Sequence, residues 1–321
     1  MQRRSILRAI GAGAALASLP SLAQVSSKPV TLVVPFAAGG NIDLVARIIA
    51  VPLAKQLGQT VVVQNRAGAG GAIGVSEVAR SDPDGATLLV STPNAIVVLP
   101  RMVQTTYDLA SFASVGLISF TSLVIVVRSD NPKFKSLPDL IAYARANPGV
   151  VSVANSGIGT TNHVAILQLQ NAAGVQFNVV AYKGSGPAII DLLGGQVDVM
   201  VDQLSSSINN IKAGKFTALS VLSNARNPLV PDVPGTKEGG LPMIDTSTTT
   251  GLLAPAKTPA ATLARFNAAL NKALQEEETI AQLLRVGSIA RPGPAEAFTA
   301  LLKAEDQQAR ALAAAGKLKT E

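Results

Sequence analysis

The 321-residue chain has no cysteine, no tryptophan and a single histidine, His163. Without cysteine there can be no disulfide, no zinc–thiolate site and no acyl anchor on a lipoprotein cysteine. With one histidine a two-histidine metal site is impossible, and any Ser-His-Asp triad would have to run through His163. Aromatic residues make up 3% of the chain, so no aromatic row exists on which bases could stack. There is no five-residue basic run, and nucleic acid is not expected as a partner. Charged residues are scarce at 15% against 48% hydrophobic, which argues against disorder and for cores built from Val, Leu, Ile and Ala. The formal charge of +7 falls to +4 without Arg3, Arg4 and Arg8, a mild positive balance that suits an anionic ligand. The length favours two domains or one large one.

Those three arginines open an N-terminal segment, residues 1–23, that continues with the small and apolar run Ala9 to Leu19. It closes on Ser21-Leu22-Ala23, a small-x-small cleavage pattern. This is the layout of a secretory signal, too short for a lasting membrane span, with cleavage expected near Ala23. The pair Arg3-Arg4 resembles the twin-arginine export signature, and general secretion remains the alternative. No later segment reaches 18 apolar residues, so a soluble exported protein in the periplasm is expected.

The stretch around which the chain is organised runs from Thr31 to Leu57. Thr31 to Phe36 is a short β-branched run of the kind found in a strand covered on both faces. Ala37 to Gly40 removes bulk at a turn, and from Ile42 apolar residues recur at helical spacing. A strand that ends in glycines and feeds a helix leaves unpaired N–H groups at the positive end of the helix dipole. Either it holds an anion or it is a tight turn that binds nothing. Pro52 should bend the second half of the helix.

The theme repeats. Thr60 to Gln64 reads as a strand followed by the glycine-rich Asn65 to Gly71, and Ala86 to Thr92 as a third strand ending at Pro93-Asn94. Strands alternating with helices imply a parallel sheet with ligands at the strands' carboxyl ends. The glycines from Gly68 to Gly74 do not have dinucleotide spacing, and no acidic residue ends the next strand to hold a ribose. No cofactor is expected. After the apolar runs Ala113 to Phe120 and Leu123 to Val127, composition shifts at Arg128 to Pro132, read as the exit from a first lobe. Val150 to Ala154 then leads into Ser156 to Thr161, a second small-residue loop at a helix N-terminus, with hydroxyls added. Further strands are expected at Asn178 to Lys183, Val197 to Asp202 and Phe216 to Leu222. Thr250 to Ala254 reads as the return crossing, and Pro259 to Leu284 and Pro294 to Ala315 as helices packed on the first lobe. The layout is lobe 1 over 24–127, lobe 2 over 128–249, and lobe 1 again over 250–321.

Taken together, VPFAAGG with Asp43, NRAGAGG, DPDG, NSGIGT with His163, YKGSGPA, LLGGQVDVM with Asp202, and GLLAPAKTP resemble the Bug family. These are the TctC-like extracytoplasmic solute receptors of tripartite tricarboxylate transporters. The pieces stand in family order from about residue 28 to the C-terminus. The resemblance implies a type II periplasmic binding protein fold, two α/β lobes with a ligand cleft between them. It implies a receptor, not an enzyme, that captures a small carboxylate solute and delivers it to membrane permease subunits. A monomer without a metal is expected.

Carried over by position, the first-lobe contacts are Phe36, Ala38, Gly39, Gly40 and Asn41, with Thr92 and Asn94 nearby. In the second lobe they are Ser156, Gly159, Thr160, Thr161 and Asp202. Asp202 would bind an amine or hydroxyl of the ligand, or merely orient its loop. Where the family often has an aromatic pair before GLLAP, this chain has Thr248-Thr249-Thr250, which is expected to enlarge or polarise the pocket. His163 reads as a packed or capping side chain, Asp43 as a partner of the helix dipole, and Arg66 as a loop brace or an anion contact. Two alternatives are a sensor that passes its ligand state to a signalling partner, and an exported hydrolase. The latter lacks a GxSxG elbow or a carboxylate pair beside a nucleophile.

Overall fold

A computed structural model describes residues 28–318, so the expected signal segment lies outside the described residues. In chain order the first elements are Val30–Val34 (β1), Asn41–Leu57 (α1), Val61–Asn65 (β2), Ala72–Ala79 (α2), Thr87–Ser91 (β3), Pro93–Val97 (α3) and the long strand Phe112–Arg128 (β4). Next come Leu137–Ala146 (α4), Ser152–Asn155 (β5), Thr161–Ala173 (α5), Asn178–Ala181 (β6), Ser185–Leu193 (α6), Val199–Gln203 (β7), Leu204–Lys212 (α7) and Phe216–Val221 (β8). The chain finishes with Ser247–Pro255 (β9), Ala260–Gln275 (α8), Glu277–Arg285 (α9), Ser288–Ala290 (β10) and Ala295–Ala314 (α10).

The strands lie in the order β2-β1-β3-β9-β4-β7-β5-β6, with β8 and β10 paired to β4. The parallel pairs are β1 with β2 and β3, and β5 with β6 and β7. Strands β4 and β9 run antiparallel to their neighbours, so each sheet is mixed rather than purely parallel. The two apolar runs Ala113 to Phe120 and Leu123 to Val127 are halves of one strand. Its first half pairs with β9 and β10 and its second half with β7 and β8. The change of sheet falls at Ser122: Thr121 still faces Ser288, whereas Leu123 faces Gln203. Arg128, read from composition as an exit, stays in the second sheet opposite Phe216.

Both sheets are covered on both faces, which is why their strands read as continuous apolar runs. In the first lobe, Leu32 and Val34 pack with Val45, Ile49 and Leu53 of α1 and with Phe266 and Leu270 of α8. On the opposite face Val33 and Leu89 meet Val75, Phe298 and Leu302. In the second lobe Val153, Val199 and Val201 pack on α4 and α5, and Val124 and Met200 on α6 and α7. Each fully buried side chain of this size contributes about 1.5–3 kcal/mol.

Two local readings change. The single helix expected over Pro259 to Leu284 breaks at Glu276, which is extended (φ −66°, ψ 128°) and accepts from Lys55 and Gln56 of α1. Helix α7 was not expected, because its Ser-Ser-Ser and Asn-Asn are poor helix formers. Buried Leu204 and Ile208 hold it on the sheet instead. Helix α1 carries Pro52 in its second half and continues to Leu57.

Candidate functional site

The strand-to-helix turns of both lobes face each other. The N-cap residues of four helices of eight residues or more, Gly40 of α1, Thr160 of α5, Gly184 of α6 and Gln203 of α7, all line one cavity. A helix leaves its first N–H groups without intrahelical partners, and a positive partial charge accompanies them. At α1, α6 and α7 no side chain caps these groups. The arrangement is a convergent set of backbone donors. The free space among these residues is about 20 Å³, about what one water-sized group needs, in a cavity that is only partly enclosed.

The lobes are in contact around this space. The Ala37 N–H donates to the Lys183 carbonyl at 2.8 Å. Asn41 accepts from Ser205 Oγ at 2.7 Å and donates to Thr250 Oγ1 at 3.4 Å, while Thr161 Oγ1 donates to Asn94 Oδ1 at 3.2 Å. A Cβ on Gly70 would lie 2.2 Å from the Ile158 carbonyl oxygen.

Of the residues expected at the site, Phe36, Gly40, Asn41, Thr92, Ser156, Thr160 and Thr161 line the cavity. The other five do not. Ala38 turns its carbonyl toward Gly186, and Asn94 meets Thr161. Gly39 and Gly159 brace their own loops in matching fashion. Each N–H donates to the side chain four residues on, Gly39 to Asp43 Oδ2 at 3.0 Å and Gly159 to His163 Nδ1 at 3.3 Å. Asp202 is fully buried and accepts the hydroxyls of Ser185, Ser206 and Ser207, each at 2.6 Å. Burial raises its carboxyl above the ordinary carboxylate range, against the opposing pull of these hydroxyls. Residues that the sequence did not place at the cavity are Ile42, Asp43, Asn162, Gly184, Ser185 and Gln203.

Asp43 is the one ionisable residue of the lining, and its charge is neutralised. It pairs with Arg47 at 2.9 Å and accepts from Asn65 at 2.9 Å. Burial pushes its carboxyl up, but Arg47, the Gly39 N–H and Asn65 outweigh that and hold it below the usual range. No lysine or arginine lines the cavity; Arg66 braces Glu77 at 3.1 Å. Burial also lowers the His163 pKa, so the ring is neutral at pH 7 with Nδ1 as acceptor. Among the described residues no group of three or more His, Asp or Glu side chains could hold a metal.

Thr248 and Thr250 belong to the threonine run that stands where the family often has an aromatic pair. They are buried, and their hydroxyls accept from Gln203 and Asn41 of the lining.

Comparison with known proteins agrees with this architecture. The family described as tripartite tricarboxylate transporter family receptor matches residues 45–311. Protein BugT of Bordetella pertussis is 36% identical over 311 residues, covering 94% of each chain. Among solved structures, MatC from Rhodopseudomonas palustris with bound malate has a TM-score of 0.85 at 32% identity, covering 90% of this chain and 99% of its own. A second R. palustris protein, Rpa4515 with adipate, gives 0.86 at 31%, covering 92% and 99%. The fold is therefore the type II periplasmic binding protein fold with two α/β lobes. Sequence match, lobe layout and facing turns all lead to one assignment: this chain belongs to the Bug/TctC family of tripartite tricarboxylate transporter receptors.

Proposed function

We propose that the chain is an exported receptor that holds a small carboxylate between its lobes and presents it to the membrane permease of a tripartite transporter. The observation that carries this reading is the convergence of four helix N-termini on one cavity that no cation lines. Backbone N–H groups bind a carboxylate with charge-assisted hydrogen bonds. They do so without the ion pair that would slow release. The relatives with malate and adipate support a carboxylate as the cargo. The change of sheet within β4 and the run into β9 serve as the hinge. The expected signal at 1–23, cleaved near Ala23, and the family support a periplasmic location.

A hydrolase is disfavoured because the single histidine is buried and its Nδ1 is committed to the Gly159 N–H. A thermal-shift screen of the exported protein against small carboxylates tests the reading, since a ligand that binds only the folded state raises the melting temperature. A shift confined to carboxylates is expected. No shift with any of them, or turnover of carboxylate esters or amides, would overturn it.

A further inference from the structure

The lobes also meet beside the cavity, where the first lobe presents residues 94–99 to the start of α5 in the second. Thr161 Oγ1 donates to Asn94 Oδ1 at 3.2 Å. Val164 packs on the apolar cluster that contains Ala95, Ile96 and Val98. Leu99 is fully buried against Gly159: a Cβ added there would lie 2.8 Å from Leu99 Cδ1 and 3.1 Å from its Cα. Helix α3 has five residues, too few to hold this edge in place by itself. Its position comes from the rest of the lobe. Tyr107 donates its hydroxyl to the Ala95 carbonyl at 2.8 Å. Arg101 donates through Nη1 to the Val97 carbonyl at 2.8 Å and through Nη2 to Asp306 Oδ1 of α10 at 2.6 Å. The other oxygen of Asp306 accepts from Arg310 Nε at 2.8 Å. The Arg101 and Asp306 side chains are 19% and 12% exposed against 71% for Arg310, so the inner half of the cluster is the stronger tie. Pro100 stands between Leu99 and Arg101. A proline fixes its own φ and restricts the residue before it, so a shift of Arg101 is passed on to Leu99.

We propose that Asp306, which does not line the cavity, is a positioning residue for solute capture: through Arg101 it holds Leu99 in place against Gly159. This rests on the receptor reading above. The Arg101–Asp306 pair lies within the first lobe and persists whether the cleft is open or closed. The contact between Leu99 and Gly159 spans the lobes and exists only when they close. Without Asp306 the turn Leu99–Arg101 loses its anchor, and each closure must order it again. That cost falls on the closed, solute-holding state alone. The solute then leaves faster, while its rate of capture is unchanged.

Calorimetry and stopped-flow kinetics of the exported protein, with the tightest binder among succinate, malate and adipate, test this. Asp306→Asn keeps the shape and removes the charge. Arg101→Gln cuts the same tie but leaves Asp306 paired with Arg310, so it serves if the first variant folds poorly. Each is expected to weaken binding at least fivefold, with the loss in a faster dissociation rate and association within twofold of wild type. Arg310→Gln, which cuts only the exposed half of the cluster, should bind within twofold of wild type. Leu99→Val should weaken binding at least threefold alone but add less than twofold to Asp306→Asn, because both act through one contact. Melting of the unliganded protein is recorded for every variant. A lowered melting temperature with wild-type affinity in Asp306→Asn and Arg101→Gln would make the pair a brace of one lobe only. That result overturns the proposal and leaves the receptor reading standing, as would fully independent losses in the double variant. Binding of none of the three acids, with no shift in the carboxylate screen, would overturn both.

Discussion

Gly186 and Ala38 meet backbone to backbone across the cleft: a Cβ added to Gly186 would lie 2.2 Å from the Ala38 carbonyl oxygen. Gly186 belongs to the first turn of α6 in lobe 2, and Ala38 to the loop between β1 and α1 in lobe 1. Its φ lies outside the left-handed region, so alanine is tolerated within its own lobe. Alanine is also the better helix former.

Gly186→Ala should therefore separate folding from closure. We expect an unchanged or slightly raised melting temperature together with a solute affinity at least tenfold weaker, read by calorimetry. Affinity equal to wild type would mean that the lobes do not need this approach to hold the solute.

Thr160 lines the cavity and also caps a helix. Its hydroxyl donates to the Gly157 carbonyl at 2.6 Å and accepts the His163 N–H at 3.3 Å, which caps α5 and ties down the loop before it. Thr160→Ala should cost about 0.5–2 kcal/mol of stability in denaturant unfolding. Thr160→Ser should recover most of it. A full loss of binding with unchanged stability in the alanine variant would instead make this hydroxyl a direct ligand contact.

His163 should make stability depend on pH. Burial holds its folded-state pKa below the ordinary 6.5. Below 6.5 the unfolded chain then binds more protons than the folded one. The contribution is complete above 6.5 and is lost as pH falls through the lowered folded value. Glu305 acts in the opposite sense. Burial raises its carboxyl to about 7, so it favours the folded state as pH falls from about 7 toward 4.5. His163→Gln should reduce the drop in melting temperature between pH 7.5 and 5, and Glu305→Gln should raise the melting temperature at pH 8 but not at pH 4. Parallel pH curves for wild type and His163→Gln would show that the ring titrates normally.

The parts of the site written in contiguous residues were legible in the sequence. The β1–α1 loop through Asn41 and the loop from Ser156 to Thr161 announce themselves by small residues between a strand and a helix. The residues that were not legible reach the cavity by tertiary placement. Gly184 and Ser185 were visible within YKGSGPA, but only the order of β5, β6 and β7 brings the start of α6 opposite Gly40. Gln203 could not be foreseen because α7 itself was hidden by its serines and asparagines. Asp202 reads in the sequence as a contact to a ligand amine or hydroxyl or as a brace of its own loop, and the serines that hold it are Ser206 and Ser207 beside it and Ser185, 17 residues earlier. The long β4 was read as two runs because Thr121-Ser122 interrupts the apolar pattern where the strand leaves one sheet for the other.

The central claim is that backbone N–H groups from both lobes hold an anionic carboxylate. The most direct test is titration calorimetry of the tightest-binding carboxylate beside its primary amide, which keeps the shape but removes the charge and sets N–H donors against N–H donors. The account expects the amide to bind at least a hundredfold more weakly. Binding of the two within threefold of each other would contradict it.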